Sequence, residues 1–257
     1  MTNLTILVRA LNFGQVKQID ELLKTQFAEL DVEVQVRSNP TNRWIQVSLS
    51  GEDEAIATAF IKKEIGTCPT SLENAKNQAV LKGYIQKVDL SKKELVVDVG
   101  IFEPKIVMAT LSLENLQAQL FGGRAVDLKR VCEVYGFAER MPLSIKPASQ
   151  EGELLQAELA PEQVEKLHAW QMSLLDRLIV LGSSKETIQV VLERTRLTRD
   201  VIDMEALGMF EFALTCKLGT NAAGLVSIVG RYLRNSVFVV FNAQRNLDFL
   251  GEQGLTL

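Results

Sequence analysis

The chain has 257 residues, 28 Lys and Arg against 32 Asp and Glu, a net charge of −4, and 47% hydrophobic residues. That length holds two or three domains with real cores, and the acidic balance excludes a protein that coats nucleic acid by bulk electrostatics, which needs many Lys and Arg contacts. The longest apolar run, around Leu178 to Leu181, is far below the roughly 20 residues that span a bilayer, and the stretch from Leu4 to Val8 is too short for a secretory core, so a cytoplasmic chain is expected. Cys68, Cys132 and Cys216 have no paired spacing, which points to buried free thiols and away from a disulfide framework or a zinc knuckle. Charge is uneven: residues 1–79 carry 8 positive and 10 negative groups, residues 80–146 carry 10 and 8, and residues 147–257 carry 10 and 14.

The first third predicts β-α-β-β-α. Leu4, Ile6 and Val8 alternate as a strand does, and Val16, Ile19, Leu22, Leu23, Phe27 and Leu30 recur at helical spacing. Val32, Val34 and Val36 face one way, the Asn39-Pro40-Thr41-Asn42 turn follows, and Ile45, Val47 and Leu49 mirror the strand before it. Ser50 and Asp53 then signal a helix through about Ile65, closed by Gly66 and Pro69. A polar boundary over residues 68–79 ends a domain placed at 1–70.

The middle, placed at 80–147, predicts strands over residues 80–88 and 94–100 around a Ser91-Lys92-Lys93 turn, a third over 105–111, a helix capped by Ser112, and two more strands over 131–137 and 141–145. Five short strands with a helix after the third describe a small, partly closed barrel of the oligonucleotide/oligosaccharide-binding type. Residues 147–152 read as a linker. The last domain, placed at 153–245, opens with Pro161 as a first helical residue and a helix continuing through Ile179 to about Gly182. Ser183 and Glu186 cap another helix to Arg194, and a hairpin around Gly208, a helix over 222–233 and a strand over 237–241 complete an antiparallel α-β-β-α-β unit. The fold class is therefore α+β: a sheet-and-helix module, a barrel, and a second sheet-and-helix module.

The barrel segment carries Gly83-Tyr84-Ile85-Gln86-Lys87-Val88, Val96-Val97-Asp98-Val99-Gly100 and Ala109-Thr110-Leu111. It resembles an S1-type RNA-binding barrel, a fold that stacks bases on aromatics inside a cationic groove. The candidates for nucleic-acid contact are Lys82, Tyr84, Lys105, Arg124, Lys129 and Arg130, with Phe102, Tyr135 and Phe137 as further aromatics. Core packing of these aromatics is the competing reading. A second basic cluster, Arg194, Arg196 and Arg199 with Arg177 and Lys185 before it, suits phosphate contact or simple complementation of a helix C-terminus. Lys217, Gly219, Thr220, Asn221 and Gly224 form a small-residue loop entering a helix, a candidate anion site with Arg231 as counter-charge, although the P-loop order is absent. His168 is the only histidine and no nucleophile motif accompanies it, so no triad is predicted, and no metal-ligand spacing or cofactor motif is present.

Leu175-Asp176-Arg177-Leu178-Ile179-Val180-Leu181-Gly182, Arg199-Asp200-Val201-Ile202, Leu214 to Thr220 and Gly230-Arg231-Tyr232-Leu233 resemble an archaeal family designated domain of unknown function 2110. The resemblance implies no activity; it implies cytosolic members with a role in information processing, often encoded near a basal transcription factor. The expectation is thus a non-enzymatic protein that engages RNA, RNA polymerase or ribosome components through the barrel. The alternatives are a protein scaffold without nucleic acid, or a nucleotide- or RNA-acting enzyme using the Gly219 to Gly224 loop. No membrane contact is expected.

Overall fold

The structure, a computed structural model, describes residues 1–151 and 154–252. The chain forms two compact units, Met1–Asn77 with Val99–Val107, and Gln78–Asp98 with Met108–Leu257.

The first unit opens with the expected order: β1 (Thr2–Arg9), α1 (Phe13–Gln26), β2 (Glu33–Ser38), β3 (Trp44–Ser50) and α2 (Glu54–Phe60). The three strands form an antiparallel sheet in the order β1-β3-β2. Asn12 caps α1 by accepting the Gln15 N–H at 3.0 Å, and Ile19 and Leu23 of the helix join Ile6, Ile45, Val47 and Leu49 of the sheet in the core. Asp53 stands at the start of α2, but its carboxylate accepts the Asp31 N–H at 2.9 Å and leaves the helix uncapped. The helix expected to reach Ile65 ends in a π-helical turn over Ile61–Ile65. Thr67 then bridges back to Ile6, so the place of a fourth strand beside β1 is held by a single residue pair.

β4 (Thr70–Ser71) and α3 (Leu72–Lys76) occupy the segment expected to be an irregular boundary. β5 (Leu81–Asp89), β6 (Glu94–Glu103), β7 (Val107–Ser112), α4 (Leu113–Phe121), α5 (Leu128–Tyr135), β8 (Pro142–Glu151), β9 (Leu154–Leu159) and α6 (Pro161–Met172) follow. The strands run β6-β5-β8-β9-β7, β6 pairs with β7 to close a five-stranded barrel, and β4 adds to the edge of β6. The parallel β7–β9 pairing, Ala109 opposite Leu155, and the helix after the third strand give the oligonucleotide-binding connectivity. Leu81, Ile85, Leu95, Val97, Ala109, Leu111, Ile145 and Ala157 are buried, so side chains pack the barrel.

Two expectations fail in this region. Residues 131–137, read as the fourth strand, are mostly helix: Asp127 accepts the Arg130 N–H at 2.9 Å as N-cap, Gly136 closes the helix in the left-handed region at φ 70°, and Leu128, Val131, Val134 and Tyr135 share the buried face. Capping and helical spacing outweigh the β propensity of Val and Tyr. The fifth strand is instead β9, which pairs with β8 across the expected linker. Pro147 is accommodated at a register shift, where a strand tolerates a residue without N–H. Gly152 and Glu153, the end of that linker and the start of the third predicted domain, lie outside the described residues.

β10 (Arg177–Leu181), α7 (Lys185–Arg194), β11 (Val201–Ala206), β12 (Glu211–Cys216), α8 (Ala222–Val229), β13 (Val237–Phe241) and α9 (Ala243–Glu252) complete the chain. The helix expected to run to Gly182 ends at Met172. Leu174 takes φ 55°, and the Arg177-Leu178-Ile179-Val180-Leu181 run becomes a strand buried along its whole length. It sits inside an antiparallel sheet in the order β11-β12-β10-β13, so the domain is β-α-β-β-α-β rather than α-β-β-α-β, with α9 added. The first unit has the same order short of its last strand. α7 is capped by Ser184, one residue later than expected, its Oγ accepting the Thr187 N–H at 3.4 Å.

One sheet face packs on α7 and α8 through Leu178, Val180, Ile188, Phe212, Leu214, Leu225 and Val229. The other face is covered as well. Trp170 of α6 meets Phe241 edge-on at 5.6 Å, the Arg177 guanidinium lies 5.1 Å from Trp170 and 5.9 Å from Phe241, and Asn246 of α9 donates to the Val134 carbonyl of α5 at 2.6 Å. RNA-recognition modules of this topology use an open sheet face with exposed aromatics; here both faces are filled.

Candidate nucleic-acid interface

The barrel residues expected to contact RNA differ in exposure, and the aromatics Tyr84, Tyr135 and Phe137 among them are buried. Tyr84 is only 4% exposed, and its hydroxyl lies under the β11–β12 turn, 3.4 Å from where a side chain on Gly208 would start. Asp98, paired with it across β5 and β6, and Glu211 are buried too. Tyr84 is therefore a packing residue. Tyr135 and Phe137 are likewise core: Tyr135 stacks with Phe137 at 6.0 Å, meets Phe121 edge-on at 5.5 Å, and donates its hydroxyl to the Leu120 carbonyl at 3.0 Å. Arg130 is engaged, 3.1 Å from Glu133 and 4.1 Å above the Phe249 ring. Arg124 and Phe102 are half-buried. Lys82 and Lys129 are exposed, and Lys105, also exposed, belongs to the first unit.

The cluster at the end of α7 is a real surface. The Leu197 N–H turns back to the Leu192 carbonyl at 2.9 Å and buries Leu197, and Arg196 takes φ 61°; Arg194, Arg196 and Arg199 are left facing water. The Lys217 N–H donates to the Asp200 carbonyl at 2.8 Å, which fixes the end of β12, and exposed Lys217, beside this turn. Arg199 is 84% exposed, with Asp200 4.0 Å away. Among the described residues, Arg194, Arg196 and Lys217 form no ion pair. The Arg194 guanidinium lies 4.9 Å over the Tyr232 ring, and Tyr232 remains 45% exposed with that face covered, so its other side is open to solvent. Tyr232 was absent from the predicted site. The signal for it is the alternation Arg231-Tyr232-Leu233-Arg234, an aromatic set between two cations.

The loop expected to bind an anion is a helix cap. Gly219 takes φ 86°, Asn221 Oδ1 accepts the Ala223 N–H at 2.8 Å, and the Asp176 carboxylate accepts the Ala222 N–H at 3.3 Å. The same carboxylate takes the Ala243 N–H at 3.2 Å and the Asn242 amide at 3.3 Å, tying the starts of α8 and α9 together. The Gly224 N–H reaches the Asn221 carbonyl at 3.1 Å, and Thr220 donates its N–H to Lys217 at 2.9 Å. These donors would have to leave protein acceptors to meet a phosphate. Arg231 follows the opposite end of α8, away from Lys217 by about the 12 Å rise of eight helical residues.

Arg177, counted with the cluster from the sequence, is interior. Its Nη1 donates to the Trp170 carbonyl at 3.2 Å, Ser173 Oγ at 2.9 Å and the Leu175 carbonyl at 3.0 Å. Burial lowers its pKa, partly offset by Glu205 and Asp203. Among the described residues no group of three or more His, Cys, Asp or Glu side chains is placed to hold a metal ion, and no helix is long and apolar enough to cross a membrane.

Barrel connectivity, two β-α-β-β-α-type modules and a cationic helix end define the class: a three-part α+β protein with an exposed basic cluster at the end of α7. The chain belongs to the DUF2110 family, whose N-terminal, central and C-terminal domain models match residues 11–71, 75–171 and 175–241. No curated protein matches it.

Proposed function

We propose that the protein is a non-catalytic binding protein of information processing that holds single-stranded RNA on the basic end of its C-terminal domain, with the barrel as rigid support. The observation that carries this reading is the exposed pair Arg194 and Arg196, which form no ion pair among the described residues, with Arg194 already stacked on one side of an exposed Tyr232. Guanidinium and ammonium groups position phosphates. An open aromatic face accepts a base, with each stacked base worth about 1–3 kcal/mol. This moves the contact from the barrel strands, where Tyr84 is covered, to the end of α7 in the same unit. The nucleotide-acting alternative loses its anion cradle to Asp176 and Asn221.

Fluorescence anisotropy with a short single-stranded RNA and a hairpin of equal length tests the reading. The single strand binds more tightly, and Tyr232→Leu weakens it by about 5- to 160-fold, the loss of one stacking contact of about 1–3 kcal/mol, while leaving the hairpin unchanged. Absence of any low-salt binding would leave association with a transcription or translation assembly through protein contacts alone.

A further inference from the structure

A concave site at the barrel hairpin answers to a different chemistry. We propose that it docks an acidic amphipathic helix of a protein partner. The groove has a volume of about 460 Å³, within the roughly 300–1,000 Å³ of built binding pockets. Its lining includes the apolar Leu90, Leu113, Val126 and Leu128, together with the exposed Lys93 and Lys129. Leu90, at the hairpin turn, is 55% exposed, a large apolar side chain held in water beside a hollow.

The walls are tied in place. The Leu113 N–H donates to the Lys93 carbonyl at 2.9 Å, fixing the hairpin to the start of α4. Gln117 Nε2 donates to the Val126 carbonyl at 2.8 Å and holds the α4–α5 loop. Asp89 Oδ1 accepts the Ser91 N–H and the Lys92 N–H, both at 3.1 Å, and so sets the turn itself. A preformed groove loses little ordering entropy on binding.

Charge selects the occupant. Among the described residues, Lys93 and Lys129 form no ion pair, and the one carboxylate in the lining, Asp127, is occupied in capping α5 at 2.9 Å. With Lys93 and Lys129 against Asp127, two positive groups and one negative, the lining keeps a net positive charge beside its apolar side chains. That pattern complements a helix with apolar anchors at i, i+3 or i+4, and i+7 flanked by Glu or Asp. No aromatic side chain lines the groove to stack a base, which favours protein over RNA. The site shares no residue with the Arg194 to Lys217 surface and stands independently of the RNA reading.

The test uses the full chain and two fluorescein-labelled helical peptides, one of Leu and Glu, the other its Leu and Lys counterpart. The Leu/Glu peptide binds the wild type. The double variant Lys93→Glu, Lys129→Glu and the single variant Leu90→Asp each weaken it by about tenfold or more, and the double variant turns to the Leu/Lys peptide. All three positions are exposed, so thermal melts stay at the wild-type value. The proposal is overturned if the wild type binds neither peptide or both alike, if affinity survives in the variants, or if single-stranded RNA displaces the peptide from the groove.

Discussion

Neutralising the helix-end cations gives a quantitative test of the RNA reading. Arg194, Arg196, Arg199 and Lys217 are four exposed side chains on adjoining turns. Each phosphate neutralised on a single strand contributes about 0.7 to the slope of log affinity against log salt, so four contacts give a slope of about −2.8. Between about 50 and 200 mM salt the affinity then falls by about 50-fold. Replacing the three arginines with Gln leaves Lys217 alone, a slope of about −0.7 and a loss of only about 2.6-fold over the same range. Arg199 contributes least of the four, because Asp200 stands 4.0 Å away. Arg194→Lys separates charge from stacking: it keeps the slope and loosens the Tyr232 ring. Anisotropy titrations at three salt concentrations read all of this. A triple variant that binds less tightly at every salt concentration yet keeps the wild-type slope would refute the reasoning, since the phosphate contacts would then lie elsewhere.

Other consequences concern the stability of the fold. Asp176→Ala removes the acceptor for the Ala222 and Ala243 N–H groups and the Asn242 amide. The expected cost is about 1–3 kcal/mol, or roughly 2–12 °C in melting temperature at this size; an unchanged melt refutes the double-cap role. Gly51→Ala brings a Cβ to 2.2 Å from the Asp31 carbonyl oxygen at φ 140°, whereas at Gly219, φ 86°, nothing lies within 4 Å. Both carry backbone strain, and only the first meets rigid backbone, so Gly51→Ala lowers the denaturation midpoint more than Gly219→Ala. Burial pushes the Cys132 thiol up to about 12 and the Cys216 thiol up to about 11, from an ordinary 9.0. The native state thus binds these protons more tightly than the unfolded chain. Their stabilisation is intact below about pH 9 and is lost as pH rises toward 11 to 12. Urea midpoints should fall over that window, Cys216→Ala should flatten the decline, and a thiol reagent near neutral pH should leave the buried Cys216 unlabelled until the chain unfolds.

Where local chemistry decides an element, the sequence reads correctly. The alternation of Leu4, Ile6 and Val8, the Pro161 helix start and the Gly208 hairpin all appear in the structure at the predicted places. The errors fall where a short apolar run suits two periods. Residues 177–181 fit the tail of a helix and the middle of a sheet equally well, and only Ala213, Leu214, Val239 and Val240 on the neighbouring strands decide for the sheet. Residues 131–135 have strand-forming side chains at helical spacing, and the Asp127 cap with Gly136 settles them as helix. α9 was not read at all, although Asn242 caps it locally by accepting the Arg245 N–H at 2.8 Å, with the distant Asp176 adding an acceptor for the Ala243 N–H.

The site was legible to the same extent. Arg194, Arg196 and Arg199 are neighbours in sequence, so their shared surface follows from one helix end. Tyr84 looked like a platform because an outward residue on a barrel strand is normally wet, and no local pattern shows that the Gly208 turn arrives to cover it. That covering has a physical corollary. The barrel is filled, its Tyr84 face is roofed, and the C-terminal sheet is packed on both sides, so broad surfaces that serve ligands in comparable folds are spent on cohesion. Binding capacity is left to turns and helix ends, where side chains keep their charge in water and rigid elements behind them fix their spacing; the free cations at residues 93, 129, 194, 196 and 217 occupy such positions.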